Sequence, residues 1–219
     1  MDRGHGARVN TKHTSSVTRE GAGPSRPLAD LFLFLAQYYL EGPSDRLDAV
    51  LRSAAWPEEL KQAGLLDESP GGEPAGLSAH RLEFEGLLRI PGEGFVPPFE
   101  QAYHTQKATV EFSAPAACER VYQHAGYDRA PFVAVQADHV GHQLRFLSAL
   151  LGRLGDAHER HDGDAVLRVL SWRDGFLRDR CWWWPRFSGK ILERGSCRQV
   201  RLAAVLLPAL ARACPPGRP

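Results

Sequence analysis

Asp138 and His139 stand side by side in "VQADHVGHQLRFLSALLGRL", Val135 to Leu154, with His142 one helical turn further on. An Asp-His pair can move protons, but acid-base or nucleophilic work also needs a nucleophile or polarising group, and the flanks offer only Gln136 and Gln143. The simpler reading is a helix cap, because an Asp carboxylate accepts orphan amides and complements the positive end of the helix dipole. His139 and His142 share a helical face at a spacing that suits metal ligation, and His158 and His161 repeat the step. "HERHDGDA", however, contains Gly163 and reads as a connection between helices whose polar side chains are solvated. No metal, cofactor or catalytic residue is expected. In "CWWWPRF" three consecutive tryptophans, Trp182 to Trp184, must point in different directions, so one or two fill the core and the last packs at the helix end.

These groups sit in a helical frame. The 219 residues are 43% apolar and 24% charged, enough for one domain with a substantial core. The apolar run Leu28 to Leu40 is shorter than the roughly 20 residues of a membrane span and reads as a core helix. "GPSDRLDAVLRSAAW" carries a Ser or Asp cap before Leu47, Val50 and Leu51; "LSAHRLEFEGLLRI" places Leu82, Leu87, Leu88 and Ile90 on a stripe. "PGEGFVPPFEQAYH" is a loop shaped by its prolines, and "SAPAACERVYQHAG" is a helix with Ser113 as cap, Pro115 in the first turn and Gly126 as stop. Val140, Leu144, Leu147, Leu151 and Leu154 then mark one buried helical face. Two further helices follow through Val166, Val169, Leu170, Phe176 and Leu177 and through Val200, Ala203, Leu207 and Leu210, the last kinked or cut short at Pro208. The expected fold is all-α, a single helical bundle over 28–214, with disordered ends at 1–27 and 215–219.

Function classes narrow accordingly. With 27 basic and 26 acidic side chains the net charge is +1, which leaves no global field for nucleic acid or an anionic membrane, and the sequence has no phosphate-cradling loop. No nucleic-acid partner and no stable membrane insertion are expected. Cys118, Cys181, Cys197 and Cys214 form no C-x-x-C pair and suit free thiols in a reducing compartment, and the polar, basic start lacks the apolar stretch of a secretory signal. The expected location is the cytoplasm.

Two stretches carry a resemblance. "DHVGHQLRFL" places Leu144 and Phe146 five and seven residues after His139, and "VPPFEQAYH" sets Pro97, Pro98, Phe99, Glu100 and Tyr103 in the same order as a Pro-Pro-aromatic loop followed by tyrosine. Together they resemble the TorD/DmsD/NarJ family of chaperones that mature molybdenum-cofactor enzymes. Val135, Gln136 and Ala137 replace the proline and acidic residue usual before Asp-His in that family. The resemblance implies an all-helical, non-catalytic, TorD-like chaperone. It would bind the twin-arginine signal peptide or N-terminal segment of the apo catalytic subunit of a molybdopterin oxidoreductase, and support folding, cofactor insertion and export. Asp138, His139, Phe99, Glu100, Tyr103 and Phe146 are the peptide-binding candidates it points to, with carboxylates for guanidinium groups and aromatics for the apolar segment. The chain is expected to be a monomer or a dimer swapped through the loop at Pro91 to Pro98. A shorter likeness, His161-Asp162 to the HD-type phosphohydrolases, gives the alternative of a metal-dependent all-α hydrolase.

Overall fold

Helix α1, Ser25–Glu41, buries Ala29, Phe32, Leu35, Ala36 and Tyr39 along one side, the three- and four-residue recurrence of a helix face. That face lies antiparallel along α5, Val140–Glu159: Leu40 meets the start of α5 at Gly141, and Arg26 pairs with Glu159 at the other end, 2.9 Å away. A Cβ on Gly141 would come within 2.5 Å of Leu40 Cγ and 3.2 Å of the Ala36 carbonyl, so only glycine permits this approach. The structure is a computed structural model that describes residues 25–53, 60–62, 64–66, 71–105 and 113–214. Of the tails expected at 1–27 and 215–219, residues 1–24 and 215–219 lie outside the described residues, and α1 begins at Ser25, three residues ahead of the boundary read from the sequence.

Further helices are α2 (Asp45–Arg52), α3 (Leu77–Leu88), α4 (Ala114–His124), α6 (Gly163–Arg180), α7 (Trp184–Arg194) and α8 (Arg198–Arg212). A 3₁₀ turn, Glu100–Tyr103, precedes α4. Among the described residues there is no strand, so the fold is the expected all-α one. Only isolated bridges join Glu73 to Cys197 and Phe99 to His139. Helix α5 is central, buried on most sides between α1 and α6, while α8 packs on α7 and reaches α1, α2 and α3.

Local signals explain most boundaries. Ser44 and Ser113 cap α2 and α4 by accepting from Leu47 N and Ala116 N, and Gly126 follows α4 at φ 60°, the left-handed region that suits glycine. Cys197 at the start of α8 has no capping side chain of its own; Glu83 of α3 supplies it, accepting from the amides of Ser196 and Cys197.

Two expectations are corrected here. The inward side of α3 is His80, Phe84, Leu87 and Leu88, whereas Leu82 is 76% exposed and Ile90 also faces out. A histidine holds the stripe because it is fully partnered: His80 Nδ1 lies 2.7 Å from Asp48 Oδ1 of α2, and Nε2 lies 2.9 Å from the Tyr38 hydroxyl of α1. Of the kink or early end expected at Pro208, the early end does not occur: α8 runs through Pro208 to Arg212, with Leu206, Leu207, Ala209 and Leu210 still buried around the proline. Packing on that face outweighs the one backbone hydrogen bond that proline removes.

Candidate functional site

The residues singled out from the sequence lie where the proline-shaped loop meets the start of α5. Extended Pro98 and Phe99 run beside Asp138 and His139: Val140 N donates to the Pro98 carbonyl at 2.9 Å, and Glu100 N donates to the Asp138 carbonyl at 3.2 Å. The Phe99 ring meets His139 edge to face at 5.1 Å. Asp138 is not the cap of α5. Its carboxylate turns the other way, and Oδ2 accepts from Gln101 N at 2.9 Å to fasten the 3₁₀ turn, while His139 caps α5 by accepting Gly141 N on Nδ1 at 3.1 Å. The backbone bridge to Phe99 orients the two side chains, and spacing alone carries no sign of that bridge.

The 3₁₀ turn carries Glu100 into the interior, where it is completely buried. Oε1 lies 3.1 Å from Arg180 Nη1 and 3.1 Å from His104 Nε2; Oε2 accepts from Gln143 Nε2 at 3.0 Å and from the Cys118 thiol at 3.6 Å. Burial pushes the Glu100 carboxyl above its ordinary range, and Arg180 and His104 oppose that shift. Gln143, which the sequence offered only as a flank, is the hub. Its amide donates to Glu100 and to the Arg180 carbonyl, while its oxygen accepts from the indoles of Trp183 at 3.2 Å and Trp184 at 2.8 Å.

The tryptophan run divides as the geometry of consecutive residues requires. Trp183 and Trp184 are fully buried, but the exposed member is the first, Trp182, at 40% exposure, and not the last. Its ring stands 5.0 Å from His104, directly outside the Glu100 cluster. Tyr103 stacks on Trp183 at 4.9 Å with Lys190 Nζ 5.1 Å from its ring centre. Phe146 lies apart from this group, in an aromatic cluster with Tyr122, Tyr127 and Phe176. It touches the site indirectly: Tyr122, 4.9 Å from the Phe146 ring, donates its hydroxyl to the Ala137 carbonyl at 2.9 Å, next to Asp138.

Electrostatically the site is a set of charges held in low dielectric. Asp138 is raised by burial, with the Gln101 amide pulling the other way, and its Oδ1 has no hydrogen-bond partner among the described residues. Burial lowers His139 to about 3 and His142 to about 4, so both imidazoles are neutral at neutral pH. Among the described residues no three of His, Cys, Asp and Glu gather to hold a metal ion. His161 and Asp162 are exposed in the α5–α6 connection, where Asp162 caps α6 through Ala165 N. Cys118, Cys181, Cys197 and Cys214 are all free and buried, and no helix is long and apolar enough to cross a membrane among the described residues.

No curated protein and no solved structure matches the chain. Residues 52–188, more than half of the chain, match the family described as nitrate reductase delta subunit. That span contains the proline-shaped loop, the Asp-His junction, Gln143, Arg180 and the three tryptophans. The chain belongs to the nitrate reductase delta subunit family, a family of chaperones for the maturation of molybdoenzymes.

Proposed function

We propose that this chain is a cytoplasmic chaperone dedicated to one molybdopterin oxidoreductase, whose apo catalytic subunit it binds through the twin-arginine N-terminal segment until cofactor is inserted. The observation that carries the reading is the family match across the loop and the Asp-His junction. Supporting it, the junction combines carboxylates with aromatic surface, the two chemistries that a guanidinium pair followed by an apolar stretch requires.

In this reading Phe99, half-buried, and Trp182, exposed, offer the first apolar contacts. Glu100 and Asp138 supply charge from behind them. His139 holds α5 against Phe99, Tyr103 braces Trp183, and Phe146 positions the Asp138 backbone through Tyr122. Since Asp138 and Glu100 are buried, binding at them needs the 3₁₀ turn or its covering side chains to move.

The test has two parts. Tagged protein incubated in its native cytosol is expected to retain a molybdopterin catalytic subunit, identified by mass spectrometry. A peptide of that subunit's N-terminus is expected to bind one to one by calorimetry, and replacing both arginines by lysine to weaken it about tenfold, because lysine cannot form the planar fork. Recovery of no molybdoenzyme subunit, or equal affinity for the arginine and lysine peptides, would overturn the reading. Asp138→Asn is expected to weaken the peptide while the fold persists, since the amide oxygen still accepts Gln101 N.

A further inference from the structure

Arg180 divides its work between backbone and side chain in an unusual way. Its carbonyl is structural, accepting from Gln143 Nε2 at 3.1 Å and Trp183 Nε1 at 3.0 Å. Its guanidinium does much less: among the described residues Nη1 alone bonds, at 3.1 Å, to a Glu100 oxygen shared with His104. A one-point contact of this kind is weaker than the two-point fork that Arg and a carboxylate make when free to align. Arg180 is also the last residue of α6, so its side chain can swing away without breaking a helical turn. The carboxylate would stay in place, because Gln143 and Cys118 hold Oε2 independently.

The surroundings provide an approach. A groove of 470 Å³ between α4 and α6 has Val121, Trp172 and Phe176 as apolar lining and Arg120, Asp179 and Arg180 among its charged lining. Trp182 and His104 cover the outer side of the same ion pair. A buried carboxylate without a cation is costly, so an internal arginine keeps Glu100 paired whenever nothing else does.

We propose that Glu100 is a guanidinium-binding site which Arg180 occupies from within, and that an arginine of the client segment takes the site by displacing Arg180. The apolar stretch of that segment then lies in the groove between α4 and α6. The identity of the occupant rests on the peptide-binding reading above; the guanidinium site does not.

Arg180→Ala removes the internal occupant and keeps the carbonyl; Arg180→Met, which retains the apolar stem, replaces it if the smaller residue does not fold. Millimolar methylguanidinium, compared with sodium at equal ionic strength, is expected to raise the melting temperature of R180A but not of R180A/E100Q. No rise, or the same rise in both, would overturn the guanidinium site. The twin-arginine peptide is expected to bind R180A about tenfold more tightly than the parent, because apparent affinity scales with the fraction of sites open to the ligand. If the parent binds the peptide and the folded variant binds it no better, exchange is overturned. If neither binds it while methylguanidinium still stabilises R180A, the signal-peptide reading fails and the guanidinium site stands.

Discussion

Neutral imidazoles buried at the start of α5 make acid sensitivity a property of individual residues here. His139 is lowered to about 3 and His142 to about 4, both chiefly by burial. An unfolded histidine titrates near 6.5, so below that pH the unfolded chain binds more protons than the folded one. The stability they contribute is complete above about pH 6.5 and is lost as pH falls toward 4, at roughly 1.4 kcal/mol per pH unit for each histidine that must charge. Glu100 and Asp138, raised by burial, work in the opposite sense at the acid end. The urea midpoint is expected to fall between pH 7 and 5, and H139N/H142Q to flatten that slope. The Asn oxygen still accepts Gly141 N, the Gln amide still donates to the Phe132 carbonyl, and His80, also lowered by burial, supplies what slope remains. An unaltered slope in the double variant would place the titration elsewhere. Gln143→Leu is a sharper change, since it strands the Trp184 indole N–H and removes the donor to Glu100, while the Trp183 indole keeps the Arg180 carbonyl; a loss of about 2–4 kcal/mol is expected in urea unfolding.

At the scale of elements, the contact between α1 and α5 depends on one missing side chain. Gly141→Ala drives a methyl into Leu40 and toward the Ala36 carbonyl, so a loss of roughly 1–3 kcal/mol is expected; a neutral outcome would mean that α1 shifts freely along α5. The α3–α8 junction depends on a borrowed cap. Glu83→Ala leaves the amides of Ser196 and Cys197 without their carboxylate and is expected to cost about 1–2 kcal/mol, with Glu83→Gln recovering part of it. The periodic face of α5 was legible in the sequence because Val140, Leu144, Leu147, Leu151 and Leu154 are apolar and evenly spaced. The face of α3 was misread because His80 counts as polar in any hydropathy pattern, and only its partners on α1 and α2 make it a core residue. Leu82 and Ile90, apolar by type, have no such partner and face out.

For the whole molecule, burial should silence the thiols. Burial raises Cys118, Cys181 and Cys197 and lifts Cys214 to about 11, so thiolate is scarce as well as inaccessible. A thiol-disulfide indicator is expected to leave the native protein unlabelled and to titrate four groups in denaturant. Fast labelling of one thiol in buffer would reveal local opening around it. By itself the sequence determined the helical class, the Ser113 cap, the periodic face of α5 and the two motifs that carry the family, because periodicity, capping and motif spacing are written in neighbouring residues. The tertiary structure decided that His139 and not Asp138 caps α5, that Trp182 is the exposed tryptophan, and that Gln143, Arg180 and Glu100 form one buried cluster. The turning of Asp138 toward Gln101 and the Glu100 cluster depend on hydrogen bonds between residues tens of positions apart, and whether a polar side chain is exposed or buried is settled by the partner that folding brings to it.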